Sequence, residues 1–232
     1  MVESTSLLTK RRVKSTPGSN PGLSVLNNNM RKENNTIQTY SKIYQDYANR
    51  NTLNNDMRSL LDKFIERLNG NKILDVGCAQ GRDSCYLSEK GYDVLGIDLT
   101  PEFIKLAKIN CLKAAFKLMD MRNLDLSPNS FNGIWASASF LHIPKNEALK
   151  TLIGFRKVLK TGGILFLSVM EGDFEGLRKN DKLKWGDRYF SHYLTNELEK
   201  LLNTAKFEVI ELIKSPTSWG PIFLNYYCDI KV

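Results

Sequence analysis

The sequence predicts an α/β fold in which a mostly parallel sheet carries helices on both faces. Three observations carry this expectation. Short apolar runs rich in β-branched residues, such as Ile73-Leu74-Asp75-Val76, Val94-Leu95-Gly96-Ile97 and Ile164–Val169, alternate with segments whose apolar residues repeat at helical spacing. The first two of these runs carry or end in an acid, Asp75 and Asp98, at the start of a turn, the arrangement of ligand-binding βα units. Finally, 232 residues with 42% hydrophobic content suffice for one domain with a full core and are too few for two comfortable ones.

Taken in order, the chain opens on a basic stretch. Residues 1–32 hold Lys10, Arg11, Arg12, Lys14, Arg31 and Lys32 against Glu3, which is +5 of the total formal charge of +8. With Ser15–Gly22 rich in Pro, Gly and Ser and no apolar period, residues 1–34 are expected to form a disordered basic tail, and residues 35–232 the folded domain. An organelle transit peptide is the alternative for the tail, and Met30 offers a shorter start. From Asn35 the pattern becomes helical: Tyr40, Tyr44 and Tyr47 fall on one stripe. Leu60, Leu61, Phe64, Ile65 and Leu68 mark a second amphipathic helix that Gly70 ends.

The stretch Lys72–Asp83 reads as strand, tight turn and helix. Gly77 and Gly81 let backbone N–H groups and a helix N-terminus face a ligand without a Cβ in the way. Asp75, ahead of the glycines, would repel a pyrophosphate but accepts hydrogen bonds from an ammonium or hydroxyls. A dinucleotide fingerprint would need glycines at positions 79 and 82, where Ala79 and Arg82 stand.

Asp75-Val76-Gly77-Cys78-Ala79-Gln80-Gly81 resembles the first motif of the class I S-adenosylmethionine-dependent methyltransferases, with Ala79 where the family usually has its middle glycine. The resemblance runs through most of the chain after about residue 40. It implies a doubly wound, seven-stranded, mostly parallel sheet with an antiparallel strand near the C-terminus, and S-adenosylmethionine as cofactor. Motif positions carried over as cofactor contacts are Tyr40 on a lid helix, Asp75, Gly77, Cys78, Ala79, Gly81 and Arg82 in the first turn, and Asp98 and Leu99 after the second strand. Asp120, Met121, Ala136 and Ser137 follow after the third and fourth strands. Asp98 also stands at the spacing at which an acid takes ribose hydroxyls; the helix beyond it has its own start signals in Thr100-Pro101-Glu102.

Phe116–Arg122 reads as a third strand with an acidic end, and Phe131–Pro144 resembles the family's fourth-strand motif with Asn132 for the usual Asp and the strand ending near Ala136. Here substrate and methyl would meet. The stretch carries Ser137 and Ser139 but neither an Asp-Pro-Pro-Tyr-like signature nor a Pro-Cys nucleophile, which disfavours the DNA-modifying classes. His142 is the candidate catalytic base, its ordinary pKa suiting proton transfer near neutrality; a packed structural histidine is the alternative. After a helix over about 147–159 and a fifth strand, residues 171–190 show no period and read as filler or a substrate loop. Tyr47, Arg188, Tyr189 and Tyr193 are the candidate substrate contacts. A helix over 195–203 separates two closing strands, 207–213 and 223–232.

The expected activity is methyl transfer to a small or medium-sized nucleophile by in-line displacement, where positioning supplies most of the catalysis. An RNA methyltransferase using the tail and the 178–184 cluster, and a non-catalytic cofactor-binding domain, are the alternatives. Four cysteines without C-x-x-C spacing and two histidines point to no metal site and no disulfide framework. No apolar run reaches membrane-spanning length, so a cytoplasmic protein with no membrane partner is expected.

Overall fold

The computed structural model describes residues 21–178, 186–218 and 220–230. The first helix, α1 (Pro21–Arg50), runs to α2 (Asn55–Ile65), which the Asn54 side chain caps by accepting from the Met57 N–H at 2.8 Å. Two βα units and a third strand follow in simple alternation: β1 (Lys72–Val76), α3 (Arg82–Glu89), β2 (Asp93–Asp98), α4 (Pro101–Asn110) and β3 (Ala115–Leu118). The second half comprises β4 (Phe131–Ser137), a single 3₁₀ turn at Phe140–His142, α5 (Lys145–Val158), β5 (Leu159–Met170), β6 (Glu175–Arg178), β7 (Arg188–Ser191), α6 (Thr195–Thr204), β8 (Phe207–Pro216) and β9 (Ile222–Ile230).

Seven strands form one sheet in the order β3-β2-β1-β4-β5-β9-β8, parallel except for β9, which is antiparallel to both neighbours. The inner strands are buried on both faces, so their alternate residues feed two separate cores. Leu74, Val76, Ile134, Ala136, Leu165 and Leu167 pack with α5 and α6; Ile73, Trp135 and Phe166 pack with α2 and α3. Trp135 stacks on Phe166 at 3.8 Å between ring centres, and Phe166 pairs across the next ladder with Tyr227. Asn132 has a local role. Its amide donates to the Asn69 carbonyl at 2.6 Å and its oxygen accepts from Lys160 Nζ at 3.2 Å, tying the α2–β1 connection to the start of β4 and β5.

The chain leaves β1 towards β2 on one side and later places β4 on the other, so the order reverses beside β1. A crevice opens there at the carboxyl ends of the strands.

Three expectations are corrected. Helix α1 begins at Pro21 rather than near Asn35, so residues 21–34 belong to a helix, while the disordered tail expected over residues 1–20 lies outside the described residues. The third strand stops at Leu118, and Asp120 sits in the turn beyond it. Residues 171–190 do contain structure: β6 and β7 form a two-stranded antiparallel sheet with Gly176 opposite Phe190. Of the basic cluster expected at 178–184, Arg178 ends β6 and the remainder lies outside the described residues. Among the described residues, no helix is long and apolar enough to cross a membrane, and no group of metal-ligating side chains is assembled.

Candidate functional site

Two adjoining cavities fill the crevice. The larger, about 850 Å³, is walled by the ends of β2 and β4, by the turn after β3 and by the underside of α1. The smaller, about 330 Å³, lies between α1, the β1–α3 turn and the start of α3. Tyr47, Gly77, Ala79 and Ser137 line both, so the β1–α3 turn is the partition between them.

That turn requires its glycine. Gly77 has φ +73°, and a Cβ on it would stand 2.3 Å from the Ser139 Cβ, so even alanine would push β1 and β4 apart. Ala79, where the motif resemblance places a glycine, also has positive φ, at 46°. Its N–H donates to Asp98 Oδ2 at 3.0 Å, and the Thr100 N–H donates to Asp98 Oδ1 at 2.8 Å. One carboxylate therefore holds the glycine turn and the start of α4 together while still lining the larger cavity. Burial raises the Asp98 pKa from its ordinary value, and the two backbone donors work against that shift. Asp98 thus holds the start of α4, one of the two readings the sequence left open, and lines the cavity that the other reading requires.

Beyond the second turn, Asp120, Met121 and Arg122 line the larger cavity. Burial works to raise the Asp120 carboxyl, but the Arg122 guanidinium, hydrogen-bonded to both its oxygens, outweighs it and holds the pKa below the usual range. Arg122 also reaches Glu147 at 3.5 Å.

The smaller cavity is polar. Asp75, fully buried, accepts from the Ser84 hydroxyl at 2.6 Å. Burial, with neighbouring Asp83 adding to it, pushes its pKa up to about 8. Asp83 accepts from Arg82 Nε at 2.6 Å and from the Trp135 indole at 2.9 Å. Gln80 closes this compartment against α1 by donating to the Asn51 carbonyl at 3.0 Å.

Helix α1 supplies the aromatic wall. Tyr40 and Tyr47 pack edge to face at 5.3 Å, and Phe103 of α4 lies 5.7 and 5.3 Å from them. Thr36 and Ile37 continue the same face, whereas Tyr44 does not reach the cavity lining. The helix is fastened at both edges: Ser41 donates to Glu102 at 2.7 Å, Thr39 to the Asp187 carbonyl at 2.9 Å, and Thr36 accepts from the Tyr189 N–H at 2.8 Å.

His142 lies in this wall and its protonation is fixed by its partners. Nδ1 stands 2.6 Å from the Tyr189 carbonyl, which can only accept, so Nδ1 carries the proton and Nε2 accepts from the Tyr40 hydroxyl at 2.9 Å. Arg188 Nη1 donates to the same Tyr40 oxygen at 3.0 Å. Burial lowers the His142 pKa to about 4, with the Tyr189 hydrogen bond opposing and the Arg188 charge adding to the shift. The sequence expectation of a base titrating near neutrality is corrected accordingly. Tyr40 is raised by burial, with Arg188 pulling it back.

Most expected positions meet at these cavities: Tyr40, Tyr47, Gly77, Ala79, Asp98, Leu99, Asp120, Met121, Ser137 and His142 line the larger, and Asp75, Cys78 and Arg82 the smaller. Others do not. Ala136 is wholly enclosed in the core, and Gly81 serves as the left-handed cap of α3. Cys78 lines the smaller cavity, but its side chain packs in a small core with Ile104, Ala107 and Phe116. Tyr189 points away, its hydroxyl donating to Glu175 at 2.5 Å, and Tyr193 is buried in the core beneath Lys145. Arg188 does not line the cavity; it donates to the Tyr40 hydroxyl. Thr36, Ile37, Phe103, Arg122 and Gln80 went unread in the sequence; the helical register of Ile37 with Tyr40 was the one signal available.

The fold superposes on solved structures, two methyltransferases among them. A 1,6-didemethyltoxoflavin-N1-methyltransferase from Burkholderia thailandensis, solved with 1,6-didemethyltoxoflavin and S-adenosylhomocysteine, superposes with a TM-score of 0.70 over 94% of this chain and 93% of its own, at 22% identity. A methyltransferase from Methanosarcina mazei gives 0.65 over 78% of this chain and all of its own, at 22% identity. The chain has the class I S-adenosylmethionine-dependent methyltransferase fold. Residues 73–163 match the family model described as a methyltransferase domain. In sequence, this methyltransferase-fold chain is 32% identical over 108 residues to a ubiquinone biosynthesis O-methyltransferase from Xanthomonas campestris, covering 44% of each. It is 35% identical over 115 residues to phosphoethanolamine N-methyltransferase 1 of Arabidopsis thaliana, covering 46% of this chain and 23% of that one. The chain thus spans less than half the length of these curated relatives.

Proposed function

We propose that the chain is a methyltransferase that moves the methyl group of S-adenosylmethionine to a small molecule bearing a weakly acidic O–H, N–H or S–H. The observation that carries this reading is the hydrogen-bonded series Arg188–Tyr40–His142 in the wall of the same cavity that Asp98 lines.

The residues fit the cofactor. Asp98 keeps lone pairs for ribose hydroxyls after its two backbone bonds, and Phe103, Leu99 and Met119 give an apolar slot for the base. The smaller compartment has donors and acceptors for a zwitterion: Asp75 and Asp83 for an ammonium, and Arg82, which spends Nε and Nη2 on Asp83 and leaves Nη1 for a carboxylate. Gly77, at the partition, lets the β1–α3 turn lie against Ser139, so that the two compartments adjoin along Gly77, Ala79 and Ser137. When bound, S-adenosylmethionine supplies an electrophilic methyl group.

The chain's own residues orient the acceptor. Tyr40 Oη accepts from Arg188 and donates to His142 Nε2, which leaves one lone pair free to accept from the acceptor's X–H. As X takes the methyl, its X–H stays directed at Tyr40 Oη, which His142 Nε2 and Arg188 hold in place; His142 remains neutral, Nδ1–H on the Tyr189 carbonyl, and the proton of X leaves to solvent. Arg188 steadies the partial negative charge on the Tyr40 oxygen. The aromatic, aliphatic and hydroxyl wall of Tyr40, Tyr47, Ile37 and Thr36 favours a flat, uncharged acceptor.

The test is a screen for S-adenosylhomocysteine formation over phenols, thiols, amines and carboxylates. Turnover with a neutral, weakly acidic acceptor supports the reading. Turnover confined to cationic amines or carboxylates would overturn the acceptor class, and absence of cofactor binding in folded protein would overturn the activity.

A further inference from the structure

A surface away from the cavities carries a second kind of information. Between Phe103 and Met119 the chain has four lysines, Lys105, Lys108, Lys113 and Lys117, and no acid. The same stretch holds Ile109 at 74% exposure, Leu112 at 89% and Leu118 at 51%, and the first two are the most exposed of the large apolar side chains described. Apolar side chains this exposed, grouped in ten residues among cations, are not the scattered ones any surface carries. They sit at the end of α4, the turn after it and the edge strand β3. Lys108 and Lys113 form no ion pair among the described residues; Lys117 lies 3.7 Å from Asp125, which stands at the border.

We infer that this α4–β3 edge is a peripheral docking surface for an anionic lipid bilayer, with Ile109 and Leu112 entering the headgroup boundary and the lysines lying on the lipid phosphates. Cations around an apolar pair are the composition that binds such an interface, because neither term suffices alone. A second copy of the chain fits worse: a two-fold contact would set the patch against itself and bring four lysines on each side together. The edge strand is only four residues long and carries Lys117, which blunts strand-to-strand pairing. Nucleic acid fits worse as well, since the one aromatic residue of the stretch, Phe116, is buried and unavailable for stacking on bases. The expectation of no membrane partner rested on the lack of a spanning segment, which a surface contact does not need. Because Met119, Asp120 and Met121 follow directly and line the larger cavity, docking would seat the cavity beside the lipid. The inference is independent of the acceptor's identity.

The experiment is vesicle flotation of the full chain with phosphatidylcholine alone and with phosphatidylcholine containing about one-third phosphatidylglycerol. Expected is at least tenfold more protein on the anionic vesicles, reduced by added salt and lowered about tenfold by Leu112→Asp with Ile109→Asp. Ile210→Asp, at a half-exposed apolar site on β8, is expected to leave flotation unchanged. Lys108→Glu with Lys113→Glu probes the charged half on two fully surface positions and guards against a folding artefact, which melting curves check for every variant. Equal flotation of wild type and both double variants would overturn the inference and assign binding to another part of the chain. No flotation on anionic vesicles would overturn it too, as would a wild-type dimer that Leu112→Asp turns into a monomer without lipid.

Discussion

Replacing Asp98 by Asn keeps the shape of the side chain and removes its charge. In the structure each carboxylate oxygen already accepts one backbone N–H, from Ala79 at 3.0 Å and Thr100 at 2.8 Å. An asparagine can accept only one of the two, so its amide nitrogen meets the other N–H donor to donor. Leaving one buried donor unpaired costs about 1–3 kcal/mol of stability, which for a domain of this size lowers the melting temperature by several degrees. On the ligand side, a ribose hydroxyl loses a charge-assisted bond worth about 1.5–3 kcal/mol, so cofactor affinity should fall roughly ten- to a hundredfold. Equilibrium dialysis with labelled S-adenosylmethionine, on protein whose folded fraction is set by its melting curve, measures both effects. A folded Asp98→Asn protein that melts lower but binds with wild-type affinity would leave Asp98 as a strut of the turn and remove it from the ribose site.

Further outcomes follow from the same geometry. Tyr40→Phe removes the hydroxyl between Arg188 and His142 and should lower kcat about 10²-fold with cofactor affinity nearly intact, read by steady-state kinetics on the best acceptor. His142→Asn should lower kcat similarly. It should also flatten the acid limb of stability: with its folded pKa depressed to about 4, the neutral His142 stabilises fully above the unfolded value near 6.5, and that contribution is lost as pH falls through 4, as denaturant titrations across pH 4–7 would reveal. Asp75, raised to about 8 by burial and Asp83, should release its proton when an ammonium binds beside it. Calorimetry at pH 7 in two buffers of different ionisation enthalpy should then give different binding heats, and equal heats would separate Asp75 from the ammonium. Trp135→Phe should weaken binding by several-fold, because Asp83 loses its indole donor and with it the fixed direction of Arg82.

The sheet was legible because its strands announce themselves locally. Leu74, Ile134 and Leu165 are apolar on one face while Ile73, Trp135 and Phe166 are apolar on the other, and Gly77, Gly91 and Asp98 mark where each strand or helix stops. The polar hairpin was not legible. Glu175–Arg178 has no apolar alternation of its own and is held by pairing with β7, a partner many residues away. That omission explains the misplaced tyrosines. Once Arg188–Ser191 is a strand, alternate residues face opposite ways: Arg188 and Phe190 turn towards Tyr40 and His142, and Tyr189 turns its ring to Glu175. The depressed His142 pKa was equally beyond reach, since it depends on burial beneath α1 and on the charge of Arg188, far along the chain.

In the proposed function one cofactor molecule spans both compartments, which meet at Gly77, Ala79 and Ser137. Calorimetric titration with S-adenosylhomocysteine, and separately with adenosine and with homocysteine, tests it most directly. Expected are one site for the whole ligand and much weaker binding of each fragment, since a fragment contacts one compartment only. Asp98→Asn should weaken adenosine and spare homocysteine, and Arg82→Ala the reverse. No heat with S-adenosylhomocysteine in folded protein, or both substitutions acting on the same fragment, would contradict it.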